Sequence, residues 1–168
     1  MRRRLTLISS MLLHKGEVDG LICGTWGNTA LHLYYIDQVI GKRAGVKTYA
    51  AMTGLVLPGR TVNILDTHIN YDPTAEQLAE ITIMAAEEMM RFGQRPKAAL
   101  LSHSNFGSSN EPSAVKMRTA LALIQQQAPW LEIDGEMHGD TALDEPYRQK
   151  LMPRSTLTGE ANLLVCPN

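Results

Sequence analysis

The sequence predicts an α/β fold, a mostly parallel sheet in a three-layer arrangement with helices on both faces, plus one β-hairpin. Three observations carry this. Helix-like and strand-like segments alternate through the second half of the chain, and parallel strands need such helical crossovers. The run KAALL is short, apolar and unbroken, as a strand buried on both faces is. Pro58-Gly59-Arg60 separates two β-like runs with hairpin turn chemistry.

The elements follow in order. Residues 5–14 read as a helix with Leu5, Ile8, Met11 and Leu12 on its apolar face. Arg2, Arg3 and Arg4 precede it, an unfavourable place for cations at the positive end of a helix dipole, so a longer helix and an unnatural start at Met1 are expected. Gly20-Leu21-Ile22-Cys23-Gly24 reads as a short buried strand, and residues 28–40 as a helix with Leu33, Ile36 and Ile40 on one face. Residues 46–57 and 61–65 form the hairpin strands. Asp72-Pro73 then supplies an N-cap and an N1 proline to a helix on which Leu78, Ile81, Ala85, Met89 and Phe92 recur, ending at Gly93. After the strand at 97–101, residues 112–127 form a helix with Met117, Ala120, Leu121 and Ile124 inward. Residues 131–134 read as a strand, 144–151 as a short helix and 162–166 as a last strand. Both ends of the chain are expected to continue beyond the given residues.

With 168 residues, 44% of them hydrophobic, the chain is long enough for one real core. A net charge of -1 gives no basic surface for nucleic acid. No apolar run is long enough for a membrane span and no signal peptide is visible, so a cytoplasmic protein is expected. Cys23 and Cys166 lie in apolar runs and read as reduced, buried thiols.

Ligands of parallel α/β sheets bind beyond the carboxyl ends of the strands, and three loops are expected there. Residues 24–29, GTWGNT, offer Thr25, Asn28 and Thr29 at a helix start. Residues 102–110, SHSNFGSSN, offer Ser102, His103, Ser104, Asn105, Gly107 and Ser108 at another. Small residues, hydroxyls and free backbone N–H groups at a helix N-terminus suit phosphate, but on local grounds a plain capped helix start is the favoured reading of both loops. Neither loop is a P-loop, and no serine lies in a G-x-S-x-G elbow. The third loop, DGEMHGD, alternates Asp134, Glu136, His138 and Asp140, which an extended chain projects to one side. Metal binding or proton transfer would suit such a cluster. The alternative is that the aspartates cap turns while Glu136 pairs with a cation. The chain lacks a second group of metal-spaced ligands, so no metal site is assigned. His68 and His103 are lone histidines, read as structural.

The phrases DTHINYDPTAEQLAEITIMAAEEMMRFG, PKAALLSHSNFGSS, KMRTALALIQQQAPWLEIDGEMHGDTAL and GEANLLVCPN together resemble the phosphotransacetylase-like C-terminal part of bacterial NADP-dependent malic enzymes, within the phosphate acetyltransferase superfamily. The resemblance covers nearly the whole chain. It implies a fragment of a two-part, isocitrate dehydrogenase-like α/β module, with residues 1–44 the edge of one part and 45–168 most of the other. CoA derivatives bind between such parts. The loop residues Thr25, Asn28, Thr29, Ser102, His103, Ser104, Asn105, Gly107, Ser108, Glu136 and His138, with Tyr34, are therefore expected to line an acyl-CoA cleft.

In the transferases an arginine for acetyl phosphate stands where Tyr34 falls, and Leu31 replaces an aspartate. Their catalytic Ser-Arg pair and aspartate fall beyond Asn168, so no catalytic residue is assigned. A tyrosine brings no positive charge to a phosphate anhydride. The resemblance thus implies a regulatory module: acetyl-CoA as effector, self-association into a homo-oligomer, and a malic enzyme domain in the same parent chain that holds NADP and a divalent metal. A working phosphate acetyltransferase is the alternative, and a dimerisation module without ligand a third possibility.

Overall fold

A computed structural model describes residues 4–168, so Arg2 and Arg3 of the basic run lie outside the described residues. The chain divides into two compact units, Met1–Lys47 and Thr48–Asn168.

The first unit holds two helices, α1 (Leu5–His14) and α2 (Thr29–Val39). The apolar face expected of α1 is not its buried one. Leu5 and Ile8 are exposed, whereas Thr6 and Ser10 are buried. Thr6 meets α2 through its hydroxyl, 2.8 Å from Nδ1 of His32. Helix α2 starts where expected because the side chain of Asn28 accepts the Leu31 N–H at 2.9 Å, an N-cap. The strand expected at residues 20–24 does not form. Ile22 is fully exposed and Cys23 is exposed as well, so an apolar run found no second layer and the buried-thiol reading fails for Cys23. Cys166 is half-buried, and desolvation pushes its thiol up from the ordinary value.

The second unit is built on five strands: β1 (Met52–Leu57), β2 (Arg60–Leu65), β3 (Lys97–Leu101), β4 (Glu132–Met137) and β5 (Leu163–Val165), in the order β1-β2-β5-β3-β4. Only β1 and β2 pair antiparallel, closed by the two-residue turn Pro58-Gly59. That turn uses the preset φ of proline and a glycine φ of 78°. The other three pairings are parallel.

Four helices connect these strands: α3 (Ala75–Arg91), α4 (Pro112–Gln127), α5 (Gly139–Leu143) and α6 (Glu145–Leu151). Helix α3 starts later than Asp72-Pro73 suggests. Thr74 is the N-cap: its hydroxyl accepts the Gln77 N–H at 3.3 Å while Oε1 of Gln77 accepts the Thr74 N–H at 2.9 Å. This reciprocal box satisfies two end donors, which the aspartate does not. Gly93 ends the helix in the left-handed region, as expected. Phe92, counted on the apolar face, is the C-cap residue of that end and is exposed.

Alternate residues of the central strands enter two different cores. Ala98, Leu100, Leu163 and Val165 meet Leu78, Ile81 and Met89 of α3 and Met117, Ala120 and Ile124 of α4. Ala99 and Leu164 meet Ala142 of α5 together with Met137, Leu157 and Ala161. Helices therefore cover both faces, and this is why KAALL shows no polar alternation.

Strand β4 runs three residues further than the expected 131–134. Its register against β3 slips: Leu100 pairs with Gly135 but Leu101 with Met137, leaving Glu136 as an extra residue. Gly135 is required there. It has φ 148°, and a Cβ would stand 2.8 Å from the Leu100 carbonyl oxygen. Among the described residues no helix is long and apolar enough to cross a membrane.

Candidate functional site

Because β2, β3, β4 and β5 run parallel, their carboxyl ends share one edge of the sheet. The segments after Leu65, Leu101, Met137 and Val165 therefore gather there, where ligands of such folds bind.

The segment after β3, residues 102–110, is fastened by its own polar groups. Ser104 is fully buried, and its hydroxyl donates to Oε1 of Glu136 at 2.7 Å. The same hydroxyl oxygen lies 3.0 Å from that of Ser108 and accepts the Ser109 N–H at 3.0 Å. Ser108 Oγ accepts the Asn105 N–H at 3.1 Å, and Ser102 Oγ accepts the Ser104 N–H at 3.2 Å. The Gly107 N–H donates to Glu136 Oε1 at 2.9 Å, and the Phe106 N–H to the Glu136 carbonyl at 2.7 Å. Phe106 is held at φ 48°, a conformation that costs a non-glycine residue about 1–2 kcal/mol.

The backbone N–H groups of Ser104, Asn105, Phe106, Gly107, Ser108 and Ser109 thus all bond within the protein. This corrects the expectation of free N–H groups in this loop. Serine and asparagine compete for neighbouring backbone donors, and here they have taken them. What the loop presents outward is side chains. His103 is exposed, with Nε2 3.1 Å from Ser109 Oγ and Nδ1 3.4 Å from Ser113 Oγ. Asn105 is half-buried and its Oδ1 accepts the His138 N–H at 2.8 Å, joining two carboxyl-end segments.

The alternating DGEMHGD residues do not share one side, because the slip at Gly135 and Glu136 breaks the strand's period. Asp134 turns toward residues 155–156: its Oδ2 accepts from Ser155 Oγ at 2.6 Å and from the Thr156 N–H at 3.0 Å. Asp140 Oδ1 accepts the N–H of Thr141 at 2.7 Å. Glu136 is fully buried and pairs with Arg118 at 3.0 Å, the cation-paired alternative of the sequence reading. Among the described residues no group of three His, Cys, Asp or Glu is placed to hold a metal ion.

The structure therefore brings together Ser102, Ser104, Asn105, Gly107, Ser108, Glu136 and His138, with His103 at the surface of the same loop. Thr25, Asn28, Thr29 and Tyr34 belong to the first unit. Thr25 is exposed at φ 72°, Asn28 caps α2, and Thr29 is its exposed first residue. Tyr34 is 58% exposed and meets the Tyr35 ring edge-on, with centroids 5.5 Å apart.

Sequence reasoning missed three residues of the second unit. Arg118 stands in a stretch of α4 read for its apolar face, so its inward reach had no periodic signal. Lys116, one turn from the start of α4, donates to the Pro167 carbonyl at 2.7 Å and pairs with Asp72. Asp66 caps the turn after β2, accepting N–H groups from Ala51 and Asn70, both at 3.0 Å. A concavity of about 290 Å³ opens beside it, lined by Asp66, Thr67, His68, Ile69, Asn70, Tyr71 and Asn168.

Comparison with known proteins agrees with this architecture. The chain is 51% identical over its full length to an NAD-dependent malic enzyme of Rhizobium meliloti and 53% identical to an NADP-dependent malic enzyme of Haemophilus influenzae, spanning 22% of each. It is 37% identical to a phosphate acetyltransferase of Paracoccus denitrificans, covering 52% of that protein. A phosphotransacetylase from Streptococcus pyogenes superposes with a TM-score of 0.89 at 31% identity, over 99% of this chain and 51% of that one. The EutD phosphotransacetylase from Staphylococcus aureus does so with a TM-score of 0.87, also at 31% identity, over 98% and 51%. The family described as phosphate acetyl/butaryl transferase matches residues 1–168, and to that family the chain belongs.

Proposed function

We propose that the chain is the regulatory, phosphotransacetylase-like region of an NADP-dependent malic enzyme, binding acetyl-CoA as an inhibitory effector and supporting oligomerisation of its parent. One observation carries the reading: identity to malic enzymes, at 51% and 53%, stands well above the 37% and 31% found for transferases. Site chemistry supports it. Acetyl transfer from a phosphate anhydride needs cations near the phosphate, and Tyr34 brings none. The N–H groups of Ser104 to Ser109 are bonded within the protein, leaving hydroxyl, imidazole and amide groups, which suit recognition of an acyl-CoA better than stabilisation of a phosphoryl charge. NADP and the divalent metal belong, on this reading, to the malic enzyme domain of the same cytoplasmic parent.

The test uses the full-length parent. Acetyl-CoA is expected to inhibit its malate oxidation, and replacing His103 and Asn105 by alanine is expected to relieve that inhibition. Inhibition unchanged by both substitutions removes residues 102–110 from the site.

A second reading, a working phosphate acetyltransferase, is favoured by the family match across residues 1–168. Robust acetyl-CoA formation from acetyl phosphate and CoA by the parent would establish it over the first.

A further inference from the structure

We propose that Arg118 is a positioning residue for the acyl-CoA wall formed by residues 102–110, acting through Glu136 without touching the ligand. The inference rests on the acyl-CoA reading above.

Glu136 is fully buried, and its two oxygens are used unequally. Oε1 receives three donors: Ser104 Oγ at 2.7 Å, the Gly107 N–H at 2.9 Å and Arg118 Nη1 at 3.0 Å. Oε2 has no partner among the described residues. One oxygen is therefore the meeting point of two loop groups and a cation from α4. Arg118 does more than neutralise it. Nη1 also reaches the Ser109 carbonyl at 2.9 Å, and Nη2 reaches Asn110 Oδ1 at 3.1 Å. A single guanidinium thus spans the centre and the far end of the loop. This needs a planar fork of several donors, which a lysine ammonium does not provide.

The fastening is reciprocal. From the loop, Asn105 Oδ1 accepts the His138 N–H, and the N–H groups of Ser102 and Phe106 donate to the carbonyls of Met137 and Glu136. Strand β4 thereby grips the loop after β3, and that loop grips the segment after β4. The exposed His103 and the half-buried Asn105 take their positions from this double clasp. A wall fixed in advance costs less ordering when a ligand arrives. Removing Arg118 leaves every outward side chain chemically intact but unfastens the loop at Ser109 and Asn110 and strips a buried carboxylate of its cation.

The experiment is calorimetric titration of the full-length parent with acetyl-CoA, paired with amide hydrogen exchange across residues 102–110. Arg118→Met is expected to bind about tenfold more weakly and to exchange faster in that segment. Arg118→Lys keeps the charge and drops the fork, so only part of the affinity is expected to return; full recovery overturns the role of the fork. Arg118→Met combined with Glu136→Gln is expected to bind no worse than Arg118→Met alone, whereas additive losses overturn the route through Glu136. A lowered melting temperature with unchanged affinity marks a merely structural residue and overturns the proposal. If Glu136→Gln does not fold, the Arg118 pair decides alone. A wild-type parent that takes up no acetyl-CoA overturns the acyl-CoA reading and the ligand half of this inference with it, and the exchange arm then decides whether Arg118 fastens the loop.

Discussion

Thr158 holds Glu132 twice, with its backbone N–H 2.7 Å and its hydroxyl 2.5 Å from the same oxygen, Oε1. Glu132 begins β4, and Arg95 pairs with its other oxygen at 3.2 Å. Lys97, at the start of β3, donates to the Thr158 carbonyl at 2.7 Å. Two strands and the segment before β5 are thus tied at the amino edge, opposite the candidate site.

This tie predicts a pH dependence. Burial alone pushes the Glu132 carboxyl up, but the Thr158 hydroxyl and N–H, with the charges of Lys97 and Arg95, outweigh it and hold the group below its ordinary value. A folded-state pKa below the unfolded one means that the unfolded chain binds the proton more readily. The contribution is complete above the unfolded carboxylate value, about 4.3, and is lost as pH falls through the lower folded one. Urea midpoints of Glu132→Gln are expected below wild type at neutral pH, with the gap narrowing in acid. A gap independent of pH would remove Glu132 as the source.

Gly135→Ala is expected to be among the more damaging single-methyl changes in the chain. The new Cβ would lie 2.8 Å from the Leu100 carbonyl oxygen and 2.9 Å from its Cβ, at φ 148°. Backbone strain and overpacking together suggest about 2–4 kcal/mol. Gly107→Ala, at φ 87° with nothing within 4 Å, is the control and is expected to lose about 1 kcal/mol. Chemical denaturation of both variants decides, and equal losses would show that the contact with Leu100 is not limiting.

Thr74→Ala removes one half of the capping box on α3 and is expected to lower stability by about 1 kcal/mol, whereas Asp72→Ala is expected to leave helix initiation unchanged. Circular dichroism melts separate the two. Because Asp72 also pairs with Lys116, the deciding reading is helical ellipticity: a loss of helix signal from Asp72→Ala that Lys116→Ala does not reproduce would return the cap to the position suggested by Asp-Pro.

Asn162→Ala is expected to cost about 2–3 kcal/mol although the side chain is only partly buried. Its Oδ1 accepts the Lys97 N–H at 2.7 Å and its Nδ2 donates to the Arg95 carbonyl at 2.9 Å. Both partners lose their bonds when the amide goes. Asn162→Asp keeps the acceptor and loses the donor, so an intermediate loss is expected in the same urea titration.

Most of the sheet was legible because its strands obey local rules. KAALL, the Pro-Gly turn and the apolar spacing of α3 and α4 each depend on residues near in sequence. The failures share a different cause. Residues 20–24 have the composition of a buried strand, but burial is a property of neighbours, and Ile22 has none covering it. The face of α1 was misjudged for the same reason. In the candidate site, the sequence marked the loops and most of their polar residues, whereas the direction of each group depends on contacts about thirty residues apart, such as Ser104 with Glu136. Arg118 left no trace in periodicity, because one charged residue on an amphipathic helix reads as solvent-facing until its partner is known.

Strand β5 is three residues long and sits between β2 and β3, yet roughly 100 residues separate paired positions such as Asn63 and Leu163. Time is the consequence. Without residues 163–165, β2 and β3 would each present an unpaired inner edge, and the hairpin would join the β3–α4–β4 unit through the α3 core alone. Closure of the sheet therefore depends on pairings of high contact order, and slow folding is the expected consequence of where so small a strand is placed.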